Sequence, residues 1–201
     1  MLSHVALDLL NNYGVRLLMP FSGRWFYGDS VFIIDPWLWL ILGTGVWRSW
    51  SRHRSRAARM ALTLAGVYIV SLMVSAGAAR EFVVDRWRQE RGAAPRALMV
   101  GPMPITPLRR MVIVDAGDAY ATGTFTWFPR QVAFTRRVPK HDTHPAVRAA
   151  IATDSRIRAV LTWARFPYYE VEATGERAVV TLRDLRFGGA VGGVTTTVPQ
   201  P

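Results

Sequence analysis

Residues 60–79 (MALTLAGVYIVSLMVSAGAA) carry no charged side chain. A helix needs about 20 such residues to cross the hydrocarbon core of a bilayer. A run apolar on every face has no stripe to show water, so it must be buried in protein or solvated by lipid. Ser71, Ser75, Ala76 and Gly77 suit close packing against another helix. A second apolar run, residues 31–47, lies upstream, with Asp35 and Pro36 near its start. Between the two, residues 48–59 (RSWSRHRSRAAR) hold arginines and no acid. A short basic connection between apolar runs is expected in the cytoplasm under the positive-inside rule. Residues 60–79 then run outward, and residues 1–30 and everything after residue 80 share the outer side. His53, set among those arginines, is a poor candidate metal ligand.

The chain has 201 residues, is 50% hydrophobic and carries a formal net charge of +11. That balance suits a mixed architecture, part membrane and part extramembrane. Much of the excess charge is arginine beside apolar segments, which points to anionic membrane lipid as partner rather than to nucleic acid. Trp127, Phe128 and nearby arginines form nothing like a nucleic-acid module. The absence of cysteine excludes disulfides, thiolate-bound zinc and thiol nucleophiles. Residues 1–19 lack the basic start and small-residue cleavage site of a signal peptide.

The expected fold is a membrane protein with three parts. Residues 1–91 form an α-helical membrane region of about two spanning helices plus one interfacial or buried helix. Residues 92–108, rich in proline and glycine, are the linker. Residues 109–201 form a small α+β extramembrane domain. Within the first part, residues 2–19 read as a helix too polar at Asn11, Asn12 and Gly14 to span a bilayer, ended by Pro20. Residues 21–30 form an aromatic loop suited to the membrane–water boundary. Residues 80–91 continue as a charged amphipathic helix. Later, residues 111–115, 119–128 and 131–135 read as strands, 145–165 as one helix or two, and 168–173 with 177–185 as a hairpin. The Gly/Thr/Pro tail after Gly188 reads as frayed.

Two polar constellations sit in the first third. His4 and Asp8 are spaced i, i+4, so on a helix they project from one face. A neutral imidazole and a carboxylate so placed are able to bind one divalent metal, and equally to form a plain surface pair. Asp29 and Asp35 are the other constellation. A carboxylate just inside a membrane boundary is costly unless paired, metal-bound or facing water. Alternatively Asp35 caps a helix that starts at Pro36. Further on, Lys140-His141-Asp142-Thr143-His144 offers imidazoles and a carboxylate, or a polar turn with Asp142 or Thr143 near a helix N-cap.

The residues Ser3, His4, Leu7, Asp8, Asn11, Tyr13, Gly14, Pro20, Phe21 and Ser22, followed by Asp29, Phe32, Ile33, Ile34, Asp35 and Pro36, resemble the YdjM-type family of inner-membrane proteins classed as metal-dependent hydrolases. Trp163–Pro167 (WARFP) and Asp184–Phe187 (DLRF) are similar to that family's C-terminal part. The resemblance implies a multi-pass protein of the bacterial inner membrane with a periplasmic C-terminal domain. It also implies a divalent metal, zinc or manganese, held by His4, Asp8 and Asp35. Asp29 or Asp35 would be the third ligand, an orienter of His4 or the general base, so both are catalytic candidates. His4, Asp8 and Asp35 are then expected to lie close together. Family members carry further helices and a His-Arg-Gly…His-Ser motif ahead of this stretch. The present sequence lacks them, which implies a missing N-terminal part and weak metal binding. The competing expectation is a non-enzymatic, membrane-anchored module whose α+β domain binds another envelope protein.

Overall fold

The computed structural model describes residues 2–52, 55–188 and 193–199. It divides into two compact units: Met1–Ala94 with Met99–Val112 and Gly123–Ala133, and Pro95–Leu98 with Ile113–Thr122 and Phe134–Pro201.

The first unit begins with α1 (Leu2–Leu10). The expected helix to residue 19 stops nine residues in, for local reasons. The Asn11 side chain accepts the Tyr13 N–H at 2.7 Å, a turn that competes with helical hydrogen bonding. Gly14 follows at φ 87°, where a side chain would be strained. The chain then doubles back: Val15 and Phe26 exchange both backbone hydrogen bonds at 2.9 Å. Ser30 and Val31 donate to the Leu10 carbonyl at 2.8 and 3.0 Å, satisfying an acceptor that the helix end leaves open.

Helix α2 (Pro36–Arg52) has 17 residues and rises about 25 Å. It starts at Pro36, so residues 31–34 precede the helix. Helix α3 (Ser55–Arg91) has 37 residues and a length of roughly 55 Å. The apolar span and the charged amphipathic segment are therefore one continuous helix. The arginine-rich connection expected as a loop is instead helical up to Arg52 and again from Ser55. Arginine and alanine are good helix formers, which suits helix on both sides of residues 53–54. His53 lies outside the described residues. Of the two helices expected to span, only α3 is long and apolar enough to cross a membrane among the described residues.

The buried residues of α3 are Ala61, Ala65, Leu72, Ala76, Ala79, Val83 and Trp87, one stripe at helical spacing and small toward α2. Gly45 of α2 has no room for a Cβ against Ala61. With Asp35 bonded to Tyr68, these pairings run the helices antiparallel. Only 22% of the apolar window of α3 is buried. Leu62, Leu64, Val67, Val70 and Val74 lie exposed along it, as do Trp39, Val46, Trp47 and Trp50 on α2. A core helix of a water-soluble protein hides such a surface; a lipid-solvated helix displays it.

Four strands follow: β1 (Leu98–Pro102), β2 (Arg109–Asp115), β3 (Ala119–Thr126) and β4 (Gln131–Pro139), forming a sheet in that order. Each contributes residues to both units. Strand β1 falls within the proline- and glycine-rich stretch 92–108. In the first unit Phe125 meets Phe82 and Trp127 edge-on, at 5.6 and 5.0 Å between centroids. Trp127 Nε1 donates to Ser75 Oγ at 2.9 Å, and Trp37 Nε1 to the Ile105 carbonyl at 2.7 Å.

The second unit places α4 (Pro145–Thr153) and α5 (Ser155–Leu161) against an antiparallel sheet of β5 (Pro167–Thr174), β6 (Arg177–Asp184) and β7 (Val194–Pro199). Asp154, in extended conformation, ends α4 and caps α5 through its side chain. The core is Val147, Ala150, Ile157, Tyr169, Val180, Leu182 and Val198 with their neighbours. The tail expected to fray is strand β7 in its last part, pairing with β6 from Leu182↔Val194 to Arg177↔Pro199. Its β-branched run suits a pleated, half-buried surface.

Candidate functional site

Asp35 stands at the start of α2 with both carboxylate oxygens engaged. Its Oδ1 accepts the N–H groups of Trp37 and Leu38 at 2.9 and 3.0 Å, and its Oδ2 accepts the Tyr68 hydroxyl at 3.2 Å. Proline at the first helical position and an aspartate cap make a stable helix start. The tyrosine ties that start to the middle of α3. Asp35 and Asp29 are both buried, and Asp29 adopts a left-handed φ of 49°.

Arg110, from β2, is the largest fully buried side chain among the described residues, 1% exposed. Its Nη1 donates to the Asp29 carbonyl at 3.1 Å and its Nη2 to the Leu72 carbonyl of α3 at 2.9 Å. Burial pushes the guanidinium down to about 10, against the pull of Asp29 and Tyr68; it remains a cation at neutral pH. Its Nε has no hydrogen-bond partner. Beside it lies a cavity of about 10 Å³ bordered by Ser30, Asp35, Leu72 and Arg110, room for about one water. The arrangement is a buried polar tie that joins the loop before α2, the middle of α3 and strand β2. Sequence reasoning missed Arg110 and Tyr68. Tyr68 was the one hydroxyl-bearing aromatic inside the uncharged run, a usable signal; Arg110 resembled its exposed neighbour Arg109.

His4 and Asp8 share a helix face as their spacing required, with Nε2–Oδ2 3.1 Å, but at the surface: the two side chains are 83% and 38% exposed. Among the described residues no group of three or more His, Asp and Glu side chains is placed to hold a metal ion. The expected convergence of His4, Asp8 and Asp35 is therefore not seen, because helix capping and Tyr68 claim the Asp35 oxygens. Oδ1 is spent on the helix start, while Oδ2 serves Tyr68 alone. In the second unit His144, directly after Asp142 and Thr143, is the N-cap of α4: its Nδ1 accepts the Ala146 N–H at 3.2 Å. Lys140 is bonded to both oxygens of Asp115 at 2.8 Å.

The two C-terminal stretches noted in the sequence do meet. Asp184 Oδ2 accepts the Arg165 N–H at 2.9 Å, and Arg186 Nη2 donates to the Trp163 carbonyl at 3.0 Å. The Arg186 guanidinium lies 4.4 Å from the Trp163 ring centroid and 5.2 Å from that of Phe187.

Residues 1–79 match the family described as YdjM inner membrane protein. The resemblance carried by His4, Asp8, Asp29, Asp35 and their neighbours thus holds over the stretch that contains α1, α2 and the apolar part of α3, and this N-terminal region is similar to that family. No curated protein and no solved structure matches the chain.

Proposed function

We propose that the chain is a membrane-anchored module of the bacterial inner membrane, with α3 crossing the bilayer, the shorter α2 packed antiparallel against it, and the α+β region presented on the outer side to another envelope protein. The observation that carries this reading is that the buried Asp35 carboxylate is used by the fold itself, Oδ1 capping α2 and Oδ2 accepting the Tyr68 hydroxyl. Polar residues of the YdjM-type stretch then serve to lock the hairpin. The family match supports the inner membrane. The exposed apolar flanks of α3 support lipid as its surroundings.

Orientation follows from charge. The connection between the helices holds Arg48, Arg52, Arg54, Arg56 and Arg59 and no acid, and short loops of this kind stay in the cytoplasm. Alkaline phosphatase fused after Pro201 is expected to be active in cells. An inactive phosphatase, together with an active cytoplasmic reporter at the same place, would overturn the orientation.

The enzymatic alternative predicts metal. Purified protein measured by elemental mass spectrometry is expected to hold zinc and manganese at background level, equal to His4→Ala and Asp8→Ala variants. Near-stoichiometric metal lost in both variants would restore the hydrolase reading.

A further inference from the structure

We infer that the groove between α2 and α3 at their arginine-rich end is a binding site for one anionic phospholipid. The inference rests on the membrane reading above and adds a ligand to it. The groove encloses about 530 Å³, within the roughly 300–1,000 Å³ usual for small-molecule sites. Its walls are Leu40 and Ile41 on one side and Met60 and Leu64 on the other. Its floor is where Gly45 passes Ala61, so close that Gly45 has no room for a Cβ. An acyl chain fits walls of that kind, and the Thr44 hydroxyl among them donates to the Leu40 carbonyl of its own helix.

At the rim the chemistry changes. Arg48 and Arg56 border the groove from opposite helices, both exposed. A second groove shares Arg56 and Met60 and adds Arg59. From residue 36 to residue 80 the sequence contains no aspartate or glutamate, so no neighbour on either helix up to that point neutralises these guanidiniums. Arginine forks match phosphate oxygens bidentately. Trp47 and Trp50, exposed near the same end of α2, are ring types that settle at headgroup depth. Charge complementarity therefore selects the occupant: a lipid with a phosphodiester and a net negative headgroup. A zwitterionic lipid would carry its own ammonium toward two arginines.

The test uses the full-length protein in detergent, with lipid adducts counted by native mass spectrometry in equimolar phosphatidylglycerol and phosphatidylcholine. The first lipid bound is expected to be phosphatidylglycerol. Each arginine near a surface strengthens anionic lipid binding about fivefold, so Arg48→Gln with Arg56→Gln should cut the preference roughly 25-fold. Arg86→Gln with Arg88→Gln, the same charge change at the other end of α3, should leave it intact. Equal binding of both lipids, or equal losses in both double variants, overturns the site. Displacement of the lipid by millimolar inorganic phosphate also overturns it, since the groove would then be a free-anion site. Carbonate extraction of cell membranes separates the two levels. Protein released by carbonate refutes the membrane reading itself; protein retained but without lipid preference refutes only this inference.

Discussion

Arg110→Ala is expected to lower the melting temperature of the detergent-purified protein by about 10 °C, the equivalent of roughly 3–5 kcal/mol for a chain of this size. Arg110 is 1% exposed, so its hydrogen-bond partners lie away from bulk water. The carbonyls of Asp29 and Leu72 each lose a charged donor at once, and a hydrogen bond to a charged group is worth about 1.5–3 kcal/mol. The buried Asp29 carboxylate loses its nearby cation as well. Arg110→Lys keeps the charge but not the fork, and one ammonium cannot serve both carbonyls as a planar guanidinium does. It should fall between wild type and alanine. Arg109→Ala, at an exposed position of the same strand, is the control and should melt close to wild type. Melting temperatures for Arg110→Ala and Arg109→Ala within about 2 °C of each other would show that the tie does not hold this unit together.

That tie marks the boundary of what the sequence could disclose. The hydrophobic span was legible because twenty or so uncharged residues admit few alternatives. The Asp35-Pro36 helix start was legible as one of two alternatives, since capping chemistry is local. The His4–Asp8 pair was legible because i, i+4 spacing fixes a face. What spacing could not fix was the pair's surroundings, and the structure leaves it at the surface. Whether Asp35 had a spare oxygen depended on Tyr68, 33 residues away, and on which side of α3 that ring lies. Arg110 donates to residues 81 and 38 positions away, a separation no local pattern encodes. The extent of α1 was overestimated because its apolar rhythm continues past Asn11, while a side-chain turn and Gly14 end the helix. Strand β7 was missed because a glycine-rich lead-in resembles a disordered tail, and only its pairing partner β6 reveals the strand.

Asp184→Ala is the companion experiment in the second unit, and a double-mutant cycle with Arg186→Met makes it decisive. Asp184 gathers four donors: Oδ1 takes the Arg186 N–H at 3.0 Å, while Oδ2 takes the Arg165 N–H at 2.9 Å, Arg186 Nε at 3.0 Å and Arg186 Nη2 at 2.8 Å. The Asp184 and Arg186 side chains are 4% and 0% exposed. Alanine at 184 therefore strands a buried guanidinium and releases the turn at Arg165 together with the 3-10 turn Leu185–Phe187 that Asp184 caps. Loss of one partner from a buried pair costs about 3–5 kcal/mol, whereas replacing both by apolar groups is often nearly neutral. Asp184→Ala alone should therefore lose the cooperative near-ultraviolet dichroism change of the stacked Trp163 and Phe187, whose centroids lie 5.2 Å apart. Arg186→Met alone should weaken it, because the Arg165 N–H still holds the carboxylate. The double variant should be clearly more stable than the sum of the two single losses, by at least about 1 kcal/mol. Strict additivity would mean that Asp184 and Arg186 act independently. The meeting of WARFP and DLRF would then be a coincidence of packing, with no clamp between them.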